Sequence, residues 1–144
     1  RLAAEAAARV PFAAYNVRLY RQTYHAIRDV LAPLVLTGRA VALPFQSPHP
    51  GVPWLLEVCP AATLKRWGWY RPYKGRTLAH AAARVAILDR LVAAGVRLPD
   101  GVRQEALADP KGDALDALLA AWVAARAVPI AADSRCAWEG CLYL

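Results

Sequence analysis

Apolar positions recur at steps of three and four along three stretches of the chain, and each stretch predicts a helix. From about Ala13 to Leu34 the repeat runs through Val17, Tyr20, Tyr24, Ile27, Leu31 and Leu34, with Pro33 and Gly38 ending it. Its other side carries Arg18, Arg21, Gln22, His25 and Arg28, which reads either as a solvated face or as a phosphate-contacting stripe. From Thr77, a candidate N-cap, to about Ala94, the positions Leu78, Ala82, Val85, Leu88 and Val92 mark the buried side of a second helix, and Gly95 closes it. The third helix runs from about Gly112 to Ala127, where Pro129 stops it; Leu115, Leu118, Leu119 and Trp122 with alanines elsewhere make it apolar nearly all round, as a buried helix is. Residues 2 to 9 are helix-forming up to Pro11, and residues 96 to 111 form a polar connection with one helical turn near Gln104 to Ala108.

Strand-like runs are fewer. Arg39 to Phe45 reads as a strand that Pro44 terminates or confines to an edge, and Trp54 to Val58 as a short buried strand after a turn-rich loop containing Pro48, Pro50, Gly51 and Pro53. Cys141 to Leu144 adds a last candidate. Glu57 is the anomaly in its run: it either points outward at a sheet end or is buried for a reason, since an unpaired buried charge costs several kcal/mol.

The aspartate helix carries the most pointed chemistry. Asp113 and Asp116 share one side of it, with Ala117, Ala120, Ala121 and Ala124. Two carboxylates so placed repel unless a cation sits between them, and a divalent metal is the commonest such cation. In the other reading Asp113 caps the helix and Asp116 favours its positive end, each contributing roughly 0.5–1 kcal/mol.

Composition narrows the classes. The 144 residues are 58% hydrophobic and 20% charged, as expected of one folded domain spanning residues 1–144. No run of 18 apolar residues and no secretory leader is visible, so a cytoplasmic location is expected. The odd set Cys59, Cys136 and Cys141 and the scattered His25, His49 and His80 give no zinc pattern, although Cys136 and Cys141 could pair on oxidation. The net charge of +7 is segregated: residues 1 to 88 hold twelve Lys/Arg against Glu5, Asp29 and Glu57, whereas the remainder is slightly acidic. That arrangement leads a polyanion toward a carboxylate site. Between Ala61 and Leu88 there is no acid at all, and Lys65, Arg66, Arg71, Lys74, Arg76 and Arg84 interleave with Trp67, Trp69, Tyr70 and Tyr73. Cations alternating with rings suit nucleic acid; equally, the rings pack a loop on the core while the cations stay wet.

The runs LLEVCPAATLKRWGWYRPYKG and GDALDALLAAWVAAR and the terminal EGCLYL, in that order, resemble the DUF429 family, predicted nucleases with an RNase H-like α/β fold. The family pattern falls on Glu57 with Cys59-Pro60, on Tyr73-Lys74, on Asp113 to Ala117, and on Glu139-Gly140 with Leu142-Tyr143. YNVRLYRQTYHAIRDVLAPLV resembles the helical region before them.

The resemblance implies helices packed on a mixed sheet, and two-metal hydrolysis of phosphodiesters with Mg²⁺ or Mn²⁺. Glu57, Asp113 and Asp116 would be metal ligands, and Lys74 would contact phosphate or stabilise transition-state charge. Nucleic-acid contacts would fall on Lys65, Arg66, Arg71, Lys74 and Arg76. Such folds take a further aspartate from a first strand, which this sequence lacks. Starting at Arg1 within an alanine-rich helical stretch, it reads as the C-terminal portion of such a domain, expected by itself to bind metal weakly and hydrolyse little. A non-catalytic nucleic-acid-binding or interaction module of the same fold is the rival expectation.

Overall fold

The computed structural model describes residues 20–130, 136 and 140–144. Residues 2 to 9, Val17, Arg18 and Glu139 lie outside them. The chain is a mixture of helices and short strands, and it divides into two compact units: residues 58–126 with Leu144, and the rest.

In the first unit, helix α1 (Tyr20–Ala26) runs through a π-helical turn (Ile27–Leu31) into α2 (Ala32–Leu36). Residues 20–36 are helical as the repeat predicts, Ala13 to Leu19 lying outside the described residues, and of the repeat Tyr20, Tyr24 and Ile27 are exposed while Leu31 and Leu34 are half-buried. Periodicity determines which residues share a face and says nothing of what covers that face. The π turn also shifts the stripe out of register by one residue.

Strands β1 (Val41–Ala42) and β2 (Trp54–Leu55) pair in parallel, Val41 opposite Trp54 and Ala42 opposite Leu55. The apolar run 54–58 does not form one strand, because its partner changes at Leu56. Beyond that residue β3 (Glu57–Val58) pairs instead with β4 (Leu142–Tyr143). Glu57 is exposed, which decides between its two sequence readings. Cys136 and Cys141 are joined in a disulfide, and Gly140 packs so closely on the Phe45 ring that a Cβ there would lie 3.2 Å from it.

The second unit is built from α3 (Pro60–Arg66), α4 (Leu78–Ala93), α5 (Asp100–Ala108) and α6 (Asp113–Arg126). Their shared core is Leu64, Tyr73, Ala83, Ile87, Leu88, Leu91, Ala106, Leu115 and Leu119. Each large aliphatic there contributes roughly 1.5–3 kcal/mol by leaving water. Thr77 caps α4 as expected, its hydroxyl accepting from the His80 amide, and the Gly95 and Val96 amides close the far end on Val92 and Leu91.

Which side of α4 is buried differs from the expectation. Leu78 is 90% exposed, Ala82, Val85 and Val92 are also exposed, and the inner stripe is Ala83, Arg84, Ile87, Leu88 and Leu91. Alanine and valine occur all round this helix, so the stripe becomes legible only if an arginine is allowed inside. Helix α5 is nine residues where one turn was expected. Helix α6 is not buried all round: Leu115, Leu119 and Val123 face the core, while Ala117, Ala121 and Ala124 are exposed.

The cap of α6 is Asp109, not Asp113. The Asp109 carboxylate accepts from the amides of Lys111 at 2.8 Å and Ala114 at 3.0 Å, while Asp113 is the first helical residue. Chiefly the Ala114 hydrogen bond holds the Asp109 carboxyl below its ordinary range. A depressed carboxylate contributes stability above its unfolded pKa, about 4, and that contribution disappears as pH falls through the lowered value. Asp109→Ala is expected to lower Tm at pH 7 and to flatten the acid limb of stability, with the two proteins converging in thermal melts once the pH has fallen below that lowered value. Equal Tm values at pH 7 would exclude a capping role. No helix among the described residues is long and apolar enough to cross a membrane.

Candidate functional site

The head of α6 gathers the polar groups of the second unit. The segment Pro72 to Gly75 is tied to the turn before it, where the Gly75 amide donates to the Pro110 carbonyl at 2.7 Å. This brings Tyr73 and Lys74 onto a carboxylate more than forty positions away. The Tyr73 hydroxyl donates to one Asp116 oxygen at 2.5 Å, and the Lys74 ammonium donates to the other at 2.6 Å. Tyr73 is buried, Lys74 is half exposed and Asp116 is intermediate.

Burial, and then the adjacent Asp116 carboxylate, hold the Tyr73 phenol well above its ordinary value. It is therefore a neutral donor at physiological pH. The Lys74–Asp116 pair is half in solvent, so its worth as an ion pair is at most about 1 kcal/mol, and its consequence is placement rather than stability. Gly112 makes the approach possible. Its φ is +76°, and a Cβ there would stand 2.9 Å from the Tyr73 ring and 3.1 Å from Lys74 Cγ.

Arg84 holds this arrangement from below. It is 4% exposed, and its guanidinium donates to the carbonyls of Tyr73 at 2.8 Å, Gly75 at 3.1 Å and Leu107 at 3.0 Å. Leu107 lies in the last turn of α5, where the helix dipole presents its negative end to a cation.

Of the expected site residues, the fold brings Lys74 and Asp116 into contact and leaves Asp113 one turn away, exposed on α6. Glu57 belongs to the other unit. Lys65 lies over the Tyr70 ring, 5.3 Å from its centroid, and Arg66, Arg71 and Arg76 are exposed. Of the four interleaved rings, Trp67, Trp69 and Tyr73 pack on the core, and Tyr70 is 44% exposed. The packing reading therefore describes three of them.

Residues 6–138 match the family described as "Protein of unknown function (DUF429)". The chain belongs to this family. No curated protein and no solved structure matches it. The DUF429 match takes in Glu57 to Pro60, Tyr73-Lys74 and Asp113 to Ala117, and ends before Gly140, Leu142 and Tyr143.

Among the described residues of this DUF429 chain, the second unit offers a divalent ion two carboxylates in the first turn of α6, Asp113 and Asp116. Mg²⁺ requires near-octahedral oxygen ligation, usually with one or two carboxylates and several waters. Each Asp116 oxygen accepts one hydrogen bond, from Tyr73 or from Lys74, and keeps a further lone pair, and among the described residues no three of His, Cys, Asp and Glu come together as a donor set. Three contributors escaped sequence reasoning: Arg84, Asp109 and Gly112. The signal for the last two was present in Asp109-Pro110-Lys111-Gly112, a turn sequence immediately before a helix.

Proposed function

We propose that this chain is a nuclease-like domain of RNase H-like α/β architecture that acts on phosphodiester bonds of a nucleic acid, with Lys74 as the group that meets the phosphate. The observation that supports this is the placement of the Lys74 ammonium. It is half exposed, bonded at 2.6 Å to Asp116, and attached to a backbone segment that Arg84 clamps from below. A lysine so held loses little freedom when a phosphate oxygen arrives, and can stabilise negative charge that grows during phosphoryl transfer. Asp116 orients that ammonium, and Tyr73 orients Asp116. Mg²⁺ or Mn²⁺, when bound, would supply the activated water of the hydrolysis. The exposed Asp113 is the carboxylate on α6 whose oxygens are not committed to Tyr73 and Lys74.

What supports the second reading, a nucleic-acid-binding module without catalysis, is that Tyr73 and Lys74 both donate to Asp116, which gives that carboxylate a part in placing the lysine. End-labelled DNA and RNA oligonucleotides incubated with the full-length protein, with and without Mn²⁺, separate the two. Under the first reading cleavage requires the metal, and Lys74→Ala lowers kcat by about 100-fold with a smaller change in KM. Asp113→Asn or Asp116→Asn abolishes cleavage, and Mn²⁺ raises the Tm of the parent protein. Unaltered cleavage by the Lys74 and Asp116 variants would sink the catalytic assignment. Salt-sensitive binding without cleavage or a Mn²⁺-dependent Tm shift would establish the second reading.

A further inference from the structure

Outside the Lys74 cluster, the second unit carries a set of cations laid on aromatic rings. Trp69 and Trp122 are stacked, 6.1 Å apart and 20° from parallel, and Trp67 meets both edge-on, at 5.2 and 4.4 Å. The Arg90 guanidinium lies over Trp69 at 5.7 Å, and the Arg126 guanidinium lies over Trp122 at 5.1 Å. Both arginines are exposed, on α4 and α6 respectively. Next to Trp69 in the chain is the exposed Tyr70 ring with Lys65 above it. The amides of Trp69 and Tyr70 both bond the Leu64 carbonyl, so the ring-bearing turn is anchored to the end of α3.

We propose that this Arg90–Trp69–Trp122–Arg126 array, continued by Tyr70 and Lys65, is a docking surface for the backbone and bases of a single-stranded nucleic acid. The reading rests on the nucleic-acid class proposed above, and not on cleavage.

Three observations carry it. First, three cations of the unit are committed: Lys74 to Asp116, Arg103 to Asp89 and Arg84 to three carbonyls. Among the described residues, by contrast, no carboxylate lies within ion-pairing distance of Arg90 or Arg126. Second, each exposed arginine is steadied over an indole, Arg90 over Trp69 and Arg126 over Trp122, and its guanidinium carries five N–H donors suited to bidentate contact with phosphate, while the ring beneath reduces the ordering needed on binding. Arg90 is steadied further by donating to the Gly68 carbonyl at 3.4 Å. Third, Tyr70 offers an exposed ring among these cations. A base can stack there, whereas an acidic peptide has no comparable use for a ring face.

The test is fluorescence anisotropy of the full-length protein with labelled single-stranded DNA and RNA, in EDTA, over a range of salt concentrations. Arg90→Ala and Arg126→Ala are each expected to weaken binding about five- to tenfold and to lower the slope of log K against log salt by about 1. Tyr70→Ala is expected to weaken binding about tenfold while leaving that slope unchanged, because stacking releases no counterion. Arg90→Lys and Arg126→Lys keep the slope, and unchanged melting curves confirm that each variant is folded. If the parent protein binds and the double Arg90→Ala, Arg126→Ala variant matches it in affinity and slope, this surface is wrong and the Lys74 reading stands. If the parent binds neither polymer, both readings fall. Competition by polyglutamate as strong as by an oligonucleotide of equal charge overturns the proposal in favour of an acidic protein partner.

Discussion

Replacing Arg84 by alanine is expected to destabilise the protein by about 3 kcal/mol. The side chain is 4% exposed and is the donor for three carbonyls, those of Tyr73, Gly75 and Leu107. Among the described residues no carboxylate pairs with it, so carbonyl dipoles alone compensate its charge. Truncation leaves those oxygens without their donor and opens a cavity beside Ile87 and Leu88 on the same stripe of α4. Arg84→Met separates the two causes, since it fills most of the volume and restores no donor. It is expected to recover less than half of the lost stability. Arg84→Lys keeps the charge but not the fork that reaches carbonyls on two separate segments, and should fall between. Urea denaturation, with the midpoint falling at constant slope, is the measurement. A methionine variant as stable as the parent would show that volume alone matters at this position.

The second large effect is expected at Gly112. Gly112→Ala should destabilise by about 3 kcal/mol, on the order of 10 °C in Tm for a chain of this size. Part arises from the backbone, because φ of +76° places any Cβ against the following carbonyl. The rest arises from the Tyr73 ring, which a Cβ would meet at 2.9 Å. That ring is buried, and its hydroxyl is bonded to Asp116, so it cannot withdraw without breaking the contact that aligns Lys74. The same substitution should therefore also lower activity or binding that depends on Lys74. Gly68→Ala is the control: it has a similar φ with nothing within 4 Å, so it should lose only the backbone part. Equal losses at the two positions, read from thermal melts, would remove the ring from the account.

Much of the architecture was readable from local rules, and the exceptions share a cause. The cap at Thr77, the stop at Gly95 and the aspartate helix rest on turn and capping chemistry contained within a few residues, and the structure places them as read. The buried side of α4 differs from the one its apolar pattern predicts because Arg84 lies on it, and what makes an arginine tolerable inside is three carbonyls, those of Tyr73, Gly75 and Leu107. The run 54–58 predicts one strand and forms two, because a change of partner at Leu56 leaves no mark on hydrophobicity. The repeat in α1 fixes which residues share a side and carries no information about what covers it, and Tyr20, Tyr24 and Ile27 are exposed.

The site divides in the same way. Sequence alone placed Asp113 and Asp116 on one side of a helix, singled out Lys74 and Glu57, and identified the DUF429 pattern, because helical spacing and ordered motifs are properties of the chain itself. Only the tertiary structure decided that Asp116 is bound to Lys74 and Tyr73, that Asp109 rather than Asp113 caps the helix, and that Glu57 is exposed. Hydrogen bonds between residues 42 and 43 positions apart depend on how helices pack and where loops cross, and no local pattern encodes either.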